Sequence, residues 1–274
     1  MPSTMLVIPY PVIDPVAVQI GPIAIRWYAL AYLTGLIGGW LYARWLCRRP
    51  PALVTPLHID DFLTWATLGV VLGGRLGFVL FVRPGYFIDN PLAALKIWHG
   101  GMSFHGGLLG VIVAGLIFCR RFRLPFFAFA DIIACAAPIG LGLGRIANFI
   151  NNELVGRVAT VPWAIVYPGW GPHPRHPSQL YEAGMEGVIL FVLLFVLALN
   201  EPVRRRLGLL SGIFLLGYGT FRTIAERFRE MDAWIGILGP NLTLGQLLSL
   251  PMIAAGLFLI YRALRRPPAG SSPR

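Results

Sequence analysis

Charge is scarce in this chain. Only 13% of its 274 residues are Asp, Glu, Lys or Arg, roughly half the usual share of a soluble domain. A soluble protein of this length needs more charge to cover its surface, so that class is excluded. Acid is the scarcer sign, with 12 acidic against 23 basic residues. Lysine occurs once, at Lys96. Cysteine is limited to Cys47, Cys119 and Cys135, with no CxxC spacing, so neither a disulfide framework nor a thiolate metal site is indicated. No P-loop, dinucleotide fingerprint, HExxH or zinc-type cluster is present. With five histidines in all, no metal and no cofactor are expected. The first sixteen residues hold no Lys or Arg, so no basic signal-peptide region is read there.

What is abundant is apolar. Hydrophobic residues make up 56% and the mean hydropathy is +0.69. That excludes a disordered chain and leaves an integral membrane protein. Seven stretches approach the ~20 residues that cross a bilayer: Ile23–Leu46, Ile59–Phe81, Met102–Phe118, Phe126–Ile150, Leu180–Leu199, Leu209–Ile224 and Leu242–Tyr261. The expected fold is therefore all-α, a single polytopic domain over residues 1–274 with seven transmembrane helices.

Arginine then orients it. Arg44, Arg48, Arg49, Arg120, Arg121, Arg123, Arg204, Arg205, Arg206, Arg262, Arg265, Arg266 and Arg274 fall after the odd-numbered spans. The positive-inside rule puts this set in the cytoplasm, so the N-terminus is expected outside and the C-terminus inside. The opposite side carries Arg83, Lys96, Arg157, Arg175, Arg227 and Arg229 on longer loops. Two of these, residues 82–101 and 151–177, read as a small outer cap. Their Trp98, Trp163, Tyr167 and Trp170 suit the headgroup zone.

Four arginines remain inside the expected spans: Arg26, Arg75, Arg145 and Arg222. Each would cost roughly 2.5–3.5 kcal/mol at the bilayer centre, so each needs a cavity, a partner or a route to the headgroups. All four fall in the outer half. Tyr28, Tyr32, Ser103, His105, Asn148, Tyr218 and Glu226 share that layer, with Glu153, His176, Gln179, Tyr181, Glu182 and Glu186 on or beside the start of the fifth span. The inner half has chiefly Asp60 and Asp61, read as helix caps, and Asp131, read as a structural contact between helices. Glycines flank the arginines at 69, 73, 74 and 77, at 106 and 107, and at 140, 142 and 144. They suit close helix packing as well as close approach of a ligand.

Guanidinium groups bind phosphate through paired, charge-assisted hydrogen bonds. An outward-facing layer of arginines therefore points to an anionic lipid headgroup rather than nucleic acid, for which no soluble basic surface exists. Chemistry there must use a bond the lipid itself carries, and two arginines would stabilise a leaving phosphate. On spacing alone, His105 is either a structural residue or a proton acceptor. A lipid transporter and a headgroup hydrolase remain alternatives.

At Gly144-Arg145-Ile146-Ala147-Asn148-Phe149-Ile150-Asn151-Asn152-Glu153-Leu154-Val155-Gly156 the sequence resembles the signature of bacterial prolipoprotein diacylglyceryl transferases. Arg26-Trp27-Tyr28, His99 to Gly107, His176-Pro177-Ser178-Gln179-Leu180-Tyr181-Glu182, Tyr218-Gly219-x-x-Arg222-x-x-x-Glu226 and the segment from Gly245 to Met252 extend the resemblance. It departs at Ala29 and across Phe228–Trp234. The resemblance implies a seven-span enzyme of the bacterial inner membrane with its active site toward the periplasm. It implies diacylglyceryl transfer from phosphatidylglycerol to the lipobox cysteine of a preprolipoprotein signal peptide, leaving a thioether and glycerol phosphate. It implies that Arg145 and Arg222 hold the phosphate, that His105 is essential, and that Tyr28 and Glu153 belong with them as catalytic residues. Asn148, Gly156, Tyr218, Glu226, Arg26 and Ser103 would bind substrate. A monomer is expected.

Overall fold

The computed structural model describes residues 8–230 and 243–270. In chain order the elements are strands β1 (Ile8–Pro9), β2 (Val16–Ile20) and β3 (Ile23–Arg26), then helices α1 (Trp27–Cys47), α2 (Pro56–Gly77), α3 (Pro84–Asp89), α4 (Phe104–Arg121) and α5 (Phe126–Ile150). Strand β4 (Ile165–Val166) precedes α6 (Ser178–Glu182), α7 (Leu190–Leu199), α8 (Glu201–Arg204), α9 (Leu209–Ala225) and α10 (Leu244–Arg265). A π-helical turn, Phe78–Val82, extends α2, and a π-helical segment, Ala183–Ile189, joins α6 to α7.

The protein is a mostly helical, multi-pass membrane protein. Among the described residues, five helical segments are long and apolar enough to cross a bilayer: Pro56–Val82, Phe104–Arg121, Phe126–Ile150, Ser178–Leu199 and Gly245–Arg265. Two predicted spans fall short of that measure. Helix α1 is rich in Tyr, Trp and Gly, which add little hydropathy. Helix α9 has 17 residues, about 25 Å at 1.5 Å per residue. The first helix also begins later than the sequence predicts, because residues 23–26 form strand β3, which pairs with β2. The start of the seventh span, Leu242, and Met231–Trp234 of the divergent segment lie outside the described residues.

The chain divides into two compact units, one from residues up to Ala43 together with those from Asp131 onward, the other Arg44–Ala130. In the second unit, α2 and α4 meet along a glycine seam. A Cβ on Gly73 would sit 2.7 Å from Gly110 Cα, and one on Gly77 would sit 2.7 Å from Gly106 Cα. No side chain fits, so these glycines serve backbone-to-backbone packing. At the other end of the pair, Phe118 packs against Phe62, Trp65 and Phe129, with ring centroids 5.4–5.9 Å apart. Helix α2 is capped by Thr55 and His58, not by the aspartates. Asp60 instead pairs with Arg44.

Arg75 also departs from expectation. It is 7% exposed, and its guanidinium donates to five backbone carbonyls: Ala93, Ala94, Lys96, Gly100 and Gly101, at 2.6–3.2 Å. Phe87 lies over it at 5.2 Å. Every N–H direction of the side chain is engaged by loop backbone, so Arg75 shapes residues 84–101.

In the first unit, small residues again set helix spacing. A Cβ on Gly35 of α1 would lie 3.1 Å from Gly140 Cα, and one on Gly142 would lie 3.0 Å from Gly187 Cα. Helices α9 and α10 close on Gly212 and Gly256. Asp131 accepts from Gly208 N (2.8 Å), Ser211 N (2.7 Å) and Ser211 Oγ (2.6 Å), capping α9 from a neighbouring helix. The loop after α5 wraps a small apolar core of Tyr10, Phe149, Val155, Ile165 and Tyr167. Tyr167 was expected in the headgroup zone, yet it is 1% exposed and its hydroxyl donates to Gln179 Oε1 at 3.3 Å. Burial pushes its phenol above the ordinary tyrosine range. Trp98, at 75%, is exposed.

Candidate active site

The first unit concentrates its charge where α5, the α6 region and α9 meet. Arg145 lies near the C-terminal end of α5 and Arg222 near that of α9. Glu182 ends α6, and Glu186 lies in the π-helical segment that follows. Such a segment inserts an extra residue per turn and often marks a functional site.

Glu182 is the hub. It is 1% exposed. Its Oε2 lies 2.6 Å from Arg145 Nε, and its Oε1 lies 3.2 Å from both Arg222 NH1 and Arg229 NH1. Glu226 adds a second bridge, with Oε1 2.5 Å from Arg222 NH2 and 3.8 Å from Arg229 Nε. Glu186 is fully buried, 3.7 Å from Arg145 NH2, and among the described residues neither carboxylate oxygen has a hydrogen-bond partner. Three guanidinium groups thus face three buried carboxylates, with Arg229 buried and Arg145 and Arg222 partly exposed. Each charge needs its partner there, because an unpaired buried ion costs several kcal/mol. A Cβ on Gly245 of α10 would sit 2.5 Å from Glu226 Oε1, so only glycine lets α10 approach this carboxylate. Tyr218, one turn before Arg222, is in electrostatic reach of Glu186, Arg222, Arg145 and Glu182.

The residues after α5 form a second polar group. Glu153 Oε1 accepts from Asn148 Nδ2 (2.9 Å) and Asn151 Nδ2 (3.3 Å). Its backbone carbonyl accepts from Gln179 Nε2 at 2.6 Å. Tyr28 of α1 is half-exposed, 3.3 Å from Tyr32 through the two hydroxyls, and in electrostatic reach of Glu153 and Arg145. Asn152 and Leu154 adopt left-handed backbone, with φ near +56°, which turns the chain sharply enough to bring Gly156 onto its neighbours. A Cβ on Gly156 would meet Phe228 O at 2.6 Å and His176 Cβ at 2.7 Å. Gly156 is thus a packing position, where absence of a side chain lets two backbone segments pair.

Among the sequence-predicted residues, Arg145, Arg222 and Glu226 come together in one ion-pair cluster with Tyr218 beside it, and Asn148 joins Glu153. Arg26 does not join them. It is exposed at the end of β3, ahead of α1. Ser103 and His105 belong to the second unit. Ser103 caps α4, its Oγ accepting from Gly106 N at 3.2 Å, and His105 is exposed in the first turn of that helix. Arg229 was read as a loop charge, yet it is buried in the cluster. No spacing in the sequence marks it, because Arg229 lies beyond the end of α9 and is placed by its bridge to Gly156.

Comparison with known proteins bears on this cluster. A sequence model of the family described as prolipoprotein diacylglyceryl transferase matches residues 15–262. The chain belongs to the prolipoprotein diacylglyceryl transferase family. It is therefore an enzyme, a transferase. The phosphatidylglycerol–prolipoprotein diacylglyceryl transferase of Paramagnetospirillum magneticum is 60% identical over 259 residues, covering 94% of this chain and 96% of the relative. Proteins of the same name from Gluconacetobacter diazotrophicus and Rhodospirillum rubrum are each 55% identical, over 94% and 96% of this chain and 93% and 97% of theirs. The match spans both the ion-pair cluster and the polar loop after α5.

Proposed function

We propose that this chain transfers the diacylglyceryl group of phosphatidylglycerol to the lipobox cysteine thiol of preprolipoproteins. The thiol sulfur forms a bond to the glycerol carbon that carries the phosphate. The C–O bond breaks, its electron pair stays on the phosphate oxygen, and glycerol phosphate leaves. The thiol gives up its proton to a base, for which His105 is the candidate. The proposed setting is the bacterial inner membrane, with seven spans, an outer N-terminus, a cytoplasmic C-terminus and the reaction on the periplasmic side.

The single observation that carries this reading is the arrangement of Arg145, Arg222 and Arg229 around the buried carboxylate of Glu182. Cations kept in register by carboxylates are preorganised for an anion, since no reorganisation is then needed as charge develops. A phosphodiester between Arg145 and Arg222 would take charge-assisted hydrogen bonds from guanidinium N–H groups while Glu182 and Glu226 keep their own pairs and hold the two planes in place. As the C–O bond breaks, negative charge grows on that phosphate, so the interaction strengthens in the transition state, which is the condition for catalysis. Tyr28, Asn148, Glu153, Tyr218 and Glu226 surround these arginines in the proposed site. Ser103, Gly156 and Arg26 are proposed to contribute to substrate binding.

Product analysis tests the reading. Purified protein is given phosphatidylglycerol labelled in its acyl chains and a lipobox peptide, and the peptide is examined for a thioether-linked diacylglyceryl group. The expected result is label on the peptide with one equivalent of glycerol phosphate. Free diacylglycerol without modified peptide would replace transfer with headgroup hydrolysis. Movement of lipid between vesicles without covalent product would replace it with transport.

A further inference from the structure

Arg229 enters the cluster from the segment just after α9, and that segment is fastened to the loop after α5. The fastening is by backbone pairs: Arg157 N donates to Phe228 O at 2.9 Å, Glu230 N donates to Val155 O at 3.2 Å, and Gly156 and Arg229 form an antiparallel bridge. Two side chains complete it. Arg157 Nε donates to Arg229 O at 2.7 Å. Arg175 NH1 donates to Gly156 O at 3.1 Å and pairs with Glu230 Oε2 at 2.5 Å. The Phe228 ring is held between His176 and Tyr181, with centroids 5.1 and 5.4 Å away.

We propose that Arg157, seconded by Arg175, is a positioning residue that fixes the backbone of Arg229 and so places the Arg229 guanidinium on Glu182. The proposal rests on the transfer reaction above and extends it to a residue that touches the ion-pair cluster only through the backbone of Arg229. Its logic is geometric. Residues 229 and 230 follow the last turn after α9, which closes with Phe228 N donating to Ala225 O at 2.9 Å. The donor from Arg157 and the paired strand set where Cα of residue 229 lies, and a shift there moves the guanidinium out of its 3.2 Å contact with Glu182. A misplacement of about 1 Å at a reacting centre can cost on the order of 10²-fold in rate.

The test is a double-mutant cycle on the full-length purified protein, reading diacylglyceryl transfer from phosphatidylglycerol to a lipobox peptide. Arg157→Ala and Arg229→Ala are each expected to lower turnover on the order of 10²-fold. The double variant is expected to be no slower than Arg229→Ala alone, because coupled groups acting through one another are non-additive. Arg157→Lys, which restores a single donor toward Arg229 O, is expected to recover most of the loss. A merely structural role would not give that recovery, and thermal unfolding midpoints of all variants separate it from misfolding. Equal fold-losses from Arg157→Ala in both backgrounds would overturn the proposal, as would wild-type turnover in Arg157→Ala or in Arg229→Ala. Absence of product from the wild-type protein would instead overturn the functional reading, and the proposal with it.

Discussion

Replacing Glu182 by Gln removes one charge and almost no volume from the centre of the cluster. Glu182 is buried, and its two oxygens hold three guanidinium groups. Gln keeps one acceptor oxygen but turns an amide NH2 toward a cation, so at least one guanidinium loses this partner beside a buried side chain. Breaking a buried ion pair in this way costs about 3–5 kcal/mol. With one acceptor retained, the lower end applies. At roughly 2–4 °C per kcal/mol for a chain of this size, a loss of ~3 kcal/mol lowers the unfolding midpoint by about 6–12 °C. Tryptophan fluorescence of the detergent-solubilised protein on heating measures it. Glu182→Asp, which keeps the charge, is expected to fall between the two. A Glu182→Gln midpoint within about two degrees of wild type would refute the hub role, because it would mean that the three arginines do not depend on this carboxylate.

Three further outcomes follow from other parts of the molecule. Gly73→Ala puts a Cβ 2.7 Å from Gly110 Cα, and overpacking of the α2–α4 seam is expected to cost about 1–3 kcal/mol in thermal unfolding. Ser103→Ala removes the α4 cap and is expected to cost about 1 kcal/mol of stability, while Ser103→Asp, an equivalent cap, retains it. Burial lowers the pKa of His176, so the folded state binds fewer protons there than the unfolded chain. Its contribution to stability is present above the unfolded value of about 6.5 and is lost as pH falls through and below it. Unfolding midpoints are therefore expected to drop on acidification from pH ~7.5 to ~5.5, and His176→Gln is expected to flatten that drop.

The helices were legible because apolar runs of this length have few other readings. Phe126–Ile150 is helical over the stretch the hydropathy marks, and Leu209–Ile224 differs from α9 by one residue. Residues 23–26 were not legible, since a short apolar strand and the start of an apolar helix look alike without a partner. Its partner is β2, seven or so residues earlier. Arg75 illustrates a different limit. Burial of a charge signalled that it needed partners, but these are carbonyls 18 to 26 residues downstream in an irregular loop, and no side-chain pattern encodes them. The grouping of Arg145, Arg222 and Glu226 was visible as a shared depth. The place of Glu182 at its centre depends on the π-helical register after α6, and that of Arg229 on pairing with Gly156. Both are tertiary facts, though the excess of arginine over lysine, the better residue for bidentate buried pairs, already hinted that the charges were paired.

The proposed diacylglyceryl transfer by this protein requires Arg145 and Arg222 to hold the phosphate. The decisive measurement is mass spectrometry of a lipobox peptide after incubation with phosphatidylglycerol and purified wild-type, Arg145→Ala or Arg222→Ala protein, each shown to be folded by its unfolding transition. The account predicts a peptide heavier by one diacylglyceryl group with the wild type and no such product with either variant. Thioether-linked product at the wild-type rate from a folded Arg145→Ala or Arg222→Ala protein would contradict it.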